Sequence, residues 1–195
     1  NPQMVVPALD DGEGPVLFQS MAILEFLEEK FPAPPLLPAD ARGRARVRGL
    51  AQITVADTHP LIVPRVRNYL EKELSLDEAA RLAWIRHWID AGLGAIEAHL
   101  VGEAETGRYC HGDQVTMADV CVVAQAIGYQ AYEGNLATYP AISTVVARCM
   151  EQEAFRSAHP RDVSDRAPRL ALTPSARARA RARRQGDVPG DKGPR

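Results

Sequence analysis

Two short stretches near the start of the chain carry the residue types that could hold a small anion. They are Val5-Val6-Pro7-Ala8-Leu9 and Phe18-Gln19-Ser20-Met21-Ala22-Ile23. Proline has no N–H to give to a sheet ladder, so Pro7 within an apolar run marks either an edge strand or a special backbone geometry. A cis Val6–Pro7 bond would turn the Val6 N–H and C=O outward to pair with an extended ligand, although cis is the minority isomer at X–Pro bonds. Ser20 stands where a strand runs into a helix. It is expected to cap free N–H groups there, and the electropositive helix end it marks is also a seat for an anion. A site for a small anionic ligand, held mostly by backbone, is one reading; a plain helix cap is the other.

His59 lies beside the helix-breaking Pro60. It could act as an acid/base or as a hydrogen-bond donor to substrate, or be an ordinary helix-face histidine. His87, His99, His111 and His159 share no ligand spacing with it, so no metal site is expected. Thr116-Met117-Ala118-Asp119 has the form of a capping box: the Thr116 hydroxyl accepts from the Asp119 N–H, and the Asp119 carboxylate accepts from the Thr116 N–H. That role is structural, and Asp119 is not expected to be an active-site acid. Cys121 sits in an apolar run, where a buried thiol is usually inert. Trp84 and Trp88, one helical turn apart, are expected to pack.

The elements that must position these residues follow from pattern. Met4–Asp10 and Pro15–Phe18 read as strands joined by the turn Asp10-Asp11-Gly12-Glu13-Gly14, hence a hairpin. Ser20 then opens a helix, Met21–Phe31, with Ile23, Leu24, Leu27 and Phe31 at helical spacing. Four prolines lie between Pro32 and Pro38, which predicts an extended connector and a domain boundary. From Arg42 the pattern is helical throughout. Arg42–Asp57 is one amphipathic segment, interrupted by His59-Pro60 and Pro64 and resumed over Val66–Leu74. Asp77–Leu100, Met117–Tyr129 and a last helix from Tyr139-Pro140 to near Phe155 follow.

Composition sets the class. The 195 residues, 46% apolar and 25% charged, are those of a globular protein able to bury a core. Residues 161–195 hold ten Lys/Arg against four Asp/Glu, whereas residues 1–160 hold 13 against 21. The body is acidic, so no nucleic-acid partner is expected. The Arg-Ala and Gly-Pro-rich stretch over 161–195 predicts a disordered basic tail. No apolar run is long enough to span a bilayer, and three cysteines without CxxC spacing point to a reducing cytoplasm, not to a disulfide framework.

The order of these parts resembles the glutathione transferases, and in detail the zeta class, which includes maleylacetoacetate isomerase. The residues that carry the resemblance begin with Asn1-Pro2, Val6-Pro7-Ala8-Leu9 and Gln19-Ser20-Met21-Ala22-Ile23-Leu24-Glu25-Phe26-Leu27. Leu36-Leu37-Pro38, Arg44-Ala45-Arg46-Val47-Arg48, His59-Pro60-Leu61, Gly112 through Cys121, Tyr139-Pro140-Ala141-Ile142 and Glu153-Ala154-Phe155 continue it over about residues 1–160. It implies an α+β, mostly α fold: a partial thioredoxin-like glutathione-binding domain over 1–31, a linker over 32–41 and an all-helical domain over 42–160.

The resemblance further implies glutathione as cofactor, with Val6 pairing its backbone to the cysteinyl part beside a cis Pro7, and Gln19 and Ser20 taking the γ-glutamyl carboxylate. His59 would line the pocket of a small acidic or electrophilic substrate. The expected activity is glutathione-dependent cis–trans isomerisation of maleylacetoacetate, in tyrosine breakdown, by a homodimer. Maleylpyruvate is the second candidate substrate; a general transferase and a non-catalytic binding protein are the alternatives. The family's Ser-rich catalytic motif would lie upstream of Asn1, so no catalytic residue is expected within 1–195, and this chain is expected to be unstable or inactive alone. Ala131 stands where the isomerases carry a carboxylate-binding arginine, and no arginine is close to it in sequence.

Overall fold

The computed structural model describes residues 2–3 and 5–160. The basic stretch expected to be disordered, 161–195, lies outside them. Among the described residues, those up to Gln152 form one compact unit. A second begins at Glu153; its described part includes the short helix Glu153–Ser157, in which Arg156 pairs with Glu153 at 2.9 Å.

The hairpin forms but is shorter than the pattern suggested. Strands β1 (Ala8–Leu9) and β2 (Leu17–Phe18) are antiparallel, with Ala8 opposite Phe18 and Leu9 opposite Leu17. Pro7 therefore precedes the ladder, where its missing N–H costs no sheet bond. Helix α1 spans Ser20–Lys30, one residue earlier at each end than expected. Its N-cap is Gln19, not Ser20: Gln19 has φ 72 and makes no side-chain cap bond, which makes Ser20 the first helical residue.

The helical part is built from α2 (Ala41–Gln52), α3 (Pro64–Lys72), α4 (Glu78–Gly102), α5 (Met117–Ala131) and α6 (Pro140–Met150). α5 packs between α2 and α6, and α4 packs on α6 and on the segment after α2. The core is the meeting of their apolar stripes. Val47 and Leu50 come from α2, Ile89, Leu93 and Ile96 from α4, Met117 and Val122 from α5, and Ile142 and Val145 from α6. Caps fix the ends. Asp40 accepts from Gly43 N–H and Asp77 from Ala80 N–H, each at 2.8 Å, and Glu97 of α4 accepts from Ala141 and Ile142 N–H at 2.8 and 2.9 Å. The last expected helix divides, because α6 stops at Met150 and Glu153 opens a new one.

The expected segment Arg42–Asp57 changes register midway. After Gln52 the chain runs as a π-helix over Ile53–Thr58, then as a 3-10 turn over His59–Leu61. Pro60 has no N–H for the carbonyl one turn back, and its ring would crowd that carbonyl, so the regular ladder cannot continue. Bonds across five residues replace it: His59 N–H reaches the Thr54 carbonyl, and the Thr58 hydroxyl donates to the Ile53 carbonyl at 2.8 Å. The Trp84 indole N–H ties down the turn through the Leu61 carbonyl at 2.8 Å. Trp84 and Trp88 also meet edge to face, at 5.8 Å between centroids.

Three contacts hold α1 and the proline-rich connector to the helices. Arg48 of α2 grips Glu25 of α1 with two bonds, at 2.5 and 2.9 Å. Glu28, buried, accepts from Leu36 N–H at 2.7 Å, and Leu36 C=O accepts from Met117 N–H at 2.9 Å.

Candidate functional site

A cleft of about 340 Å³ opens between the start of α1, the π-helical segment and α5. That volume suits a small ligand. Pro7, Ser20, Ile23 and Leu24 form one wall; Thr54, Val55 and His59 form the second; Val120, Cys121, Ala124 and Gln125 form the third. Three of the residues expected to form a site, Pro7, Ser20 and His59, thus come together. Val6 and Gln19 do not line the cleft but adjoin two residues that do.

The Val6–Pro7 bond is cis. Val6 is 91% exposed, and among the described residues its N–H and C=O have no hydrogen-bond partner. At the start of α1 the first intrahelical bond is Ile23 N–H to Gln19 C=O, at 3.0 Å. The N–H groups of Ser20, Met21 and Ala22 are therefore left over, as at every helix start, and no side chain caps them. The Ser20 hydroxyl has no partner among the described residues, and the Gln19 amide donates to Gln3 Oε1 at 3.2 Å. Free donors at the positive end of a helix dipole suit a carboxylate.

His59 stands at the rim, open to solvent on its outer side. Crowding by the surrounding protein disfavours its charged form and lowers its pKa, so the imidazole is neutral at neutral pH. Cys121, expected to be inert, does line the cleft, but burial pushes its thiol up to about 11. It stays protonated and is no nucleophile at neutral pH.

The wider cleft, about 680 Å³, lies around Arg46, Glu103 and His111. Its guanidinium is fully committed to structure: Arg46 donates to Glu103 at 2.5 Å, to the Cys110 carbonyl at 2.6 Å and to the Thr106 hydroxyl at 2.9 Å, which holds the loop before α5. Asp119 is likewise structural. The capping box forms, and its carboxylate accepts from Thr116 N–H at 2.7 Å, from the Thr116 hydroxyl at 2.8 Å and from Cys110 N–H at 2.8 Å.

No family model matches the chain. The chain is 49% identical over 160 residues to a maleylpyruvate isomerase of Ralstonia sp, covering 82% of this chain and 75% of that protein. A solved holo structure of maleylpyruvate isomerase, described as a bacterial glutathione transferase of the zeta class, superposes with TM-score 0.80 at 49% identity, over 83% of this chain and 76% of the other. The chain belongs to the zeta-class glutathione transferases. A maleylacetoacetate isomerase of Methylobacterium extorquens AM1, solved with malonate and glutathione, superposes with TM-score 0.81 at 43% identity, over 83% and 76% of the two chains. The mostly helical α+β architecture expected from the sequence is that of these structures.

Within this zeta-class chain, Ala131 is the exposed last residue of α5 and does not line the cleft. No arginine is near it along the sequence; those that reach the next residue, Tyr132, come from elsewhere in the chain. The Arg67 guanidinium lies 6.0 Å from the Tyr132 ring, and Arg86 donates to the Tyr132 carbonyl at 2.9 Å. Both arrive from other helices, which spacing along one helix cannot reveal. Sequence reasoning also missed Thr54, Val55, Val120, Ala124 and Gln125. The only available signal was an uncharged polar residue, Thr54 or Gln125, on an otherwise apolar helical face.

Proposed function

We propose that this chain is a glutathione-dependent cis–trans isomerase of the maleylpyruvate and maleylacetoacetate type. The observation that carries the reading is the shared position of Ser20: it belongs both to the uncapped start of α1 and to the wall of the apolar cleft. A thiol peptide seated by its carboxylate at the helix end would thereby face a pocket for a second, small substrate. The residues fit glutathione: the leftover amides and the Ser20 hydroxyl suit its γ-glutamyl carboxylate, with Gln19 beside them, and the free Val6 backbone suits its extended cysteinyl part. Glutathione, when bound, supplies the thiol whose reversible addition to an activated double bond permits cis-to-trans rotation. Neutral His59 would donate to an oxygen of the substrate, and Ile23, Leu24, Val55 and Val120 would exclude water around it.

In this reading residues 1–31 bind glutathione, residues 32–41 connect, and residues 42–160 shape the second pocket. The two similar isomerases support maleylpyruvate or maleylacetoacetate as substrate, the latter placing the protein in tyrosine breakdown. Cys110, Cys121 and Cys149, buried and unpaired, support a reducing, cytoplasmic setting. No helix among the described residues is long and apolar enough to cross a membrane. The homodimer follows from the family resemblance. A second reading, a transferase that conjugates small electrophilic acids, is favoured by one observation: none of the residues lining the cleft is lysine or arginine.

Calorimetry with glutathione tests the site. Ser20→Ala combined with Gln19→Ala should weaken binding by about 1.5–3 kcal/mol, on the order of ten- to a hundredfold, with helix content unchanged. Unchanged affinity would remove the γ-glutamyl assignment. With maleylpyruvate as substrate, recovery of the trans product favours the isomerase, and a stable glutathione adduct favours the transferase.

A further inference from the structure

Thr54 and Gln125 belong to the wall of the same cleft, contributed by opposite elements, the π-helical segment and α5. Both are buried, with 6% and 5% of their surface exposed. Thr54 Oγ1 and Gln125 Nε2 are enclosed and have no hydrogen-bond partner among the described residues. Buried polar atoms are nearly always paired, so an unpaired couple around one cavity needs a reason. Local backbone could have satisfied Thr54, because a helical threonine commonly donates to a carbonyl of the preceding turn. Thr58, in the same segment, does donate to the Ile53 carbonyl at 2.8 Å, and Thr54 does not.

The register of the π-helix places Thr54 on the cleft wall. Its carbonyl accepts from His59 N–H across five residues, which stacks Thr54 and His59 on one face, and both line the cleft. In an α-helix, residues five apart do not share a face. π-Helical turns are found frequently at functional sites. Besides His59 and Ser20 the remaining walls are apolar, and none of the lining residues is lysine or arginine. A cavity of this kind recognises a short apolar body bearing an oxygen acceptor, held by neutral donors.

We propose that the Thr54 hydroxyl and the Gln125 carboxamide are the specificity-determining donor pair for the second substrate, taking a carboxylate or carbonyl oxygen of a short unsaturated acid. The proposal rests on the isomerase reading only in treating this cleft as the second-substrate pocket.

The test uses the full chain saturated with glutathione and titrated calorimetrically with maleate. Thr54→Val and Gln125→Leu should each raise the maleate Kd about tenfold, the size expected for one lost hydrogen bond to a charged group. Glutathione affinity should not change. Melting temperature should stay level or rise, because the fold loses no partner. Thr54→Ser, which keeps the donor, should keep maleate affinity. Unchanged maleate affinity in both variants, with glutathione still bound, overturns the proposal and leaves the family reading intact. A melting temperature lowered by several degrees with maleate affinity unchanged makes the pair structural and also overturns it. Failure of the parent chain to bind maleate overturns the acid assignment; failure to bind glutathione overturns the isomerase reading itself.

Discussion

Asp119 and Gln125 lie on the same helix and are both buried, yet they differ in one respect. Every oxygen of the Asp119 carboxylate is used, by Cys110 N–H at 2.8 Å and by the N–H and hydroxyl of Thr116 at 2.7 and 2.8 Å. The Gln125 amide nitrogen meets no partner among the described residues, and neither does the hydroxyl of Thr54 across the cleft. Burial and residue type would nominate the aspartate as the chemical group. The state of its hydrogen bonds nominates the other two. A buried polar group whose bonds are all made within the fold holds the fold; one whose bonds are unmade and whose residue also lines the cleft, as Thr54 and Gln125 do and Arg67 and Trp88, each with an equally unpartnered nitrogen, do not, is a candidate for a ligand.

Removing Asp119 gives the largest expected effect and the sharpest test of that contrast. Asp119→Ala would leave the N–H groups of Cys110 and Thr116 buried without an acceptor and uncap α5, at a cost of about 3–5 kcal/mol. Chemical denaturation should show it as a lower midpoint at constant m. Glutathione affinity of the fraction still folded should match the parent. A loss below about 1 kcal/mol would show that a fully bonded carboxylate is not holding this fold, and the contrast with Gln125 would fail.

A smaller effect is expected where the two regions touch. A Cβ on Gly92 of α4 would lie 2.1 Å from the Thr58 hydroxyl oxygen, so Gly92→Ala must turn that hydroxyl off the Ile53 carbonyl or displace the π-helical segment. Overpacking of this kind costs about 1–3 kcal/mol. Because Thr54 and His59 ride on that segment, maleate affinity should fall together with stability, whereas Ser20 and glutathione affinity should be spared. Gly49→Ala is the control: nothing lies within 4 Å of its added Cβ, and the change should stabilise α2 by up to about 1 kcal/mol. Equal behaviour of the two variants would show that the contact at Thr58 does not set the register.

What the sequence disclosed follows the same division. Thr116 and Asp119 are three residues apart, so their box is a local signal and was legible. The long stripe of α4 was legible for the same reason, as were the breaks at Pro60 and Pro64. Ser20 was read as the cap because serine commonly caps. The positive φ of Gln19, which starts the helix one residue earlier, has no marker in an ordinary glutamine. Thr54 was hidden by the π-helix: on the α-helix that Arg42–Asp57 suggests, it would not share a face with His59. Gln125 was hidden by its setting, one polar side chain in an apolar run. The arginines near Tyr132 come from α3 and α4, and tertiary packing alone brings them there.

His59 stands between the two classes, and the smallest prediction concerns it. Its imidazole has no hydrogen-bond partner among the described residues, and crowding lowers its pKa below the usual 6.5. The unfolded chain, with the ordinary value, binds more protons between the two pKa values, so stability rises with pH through that window and falls as pH drops below about 6.5. The carboxylates held low by partners, such as Glu25 by the Arg48 guanidinium, lose their contribution only in a more acidic range, near and below the normal carboxylate pKa. Comparing the parent with His59→Gln between pH 5.5 and 7.5 isolates His59, because the other four histidines are common to both. The parent should lose a little stability toward pH 5.5, modest because the ring is open to solvent on one side, and His59→Gln should flatten the slope. An unchanged slope in His59→Gln would show that the imidazole is not desolvated by the cleft. The rim would then be wet, and the boundary between structural and ligand-ready polar groups would fall at Thr54, not at His59.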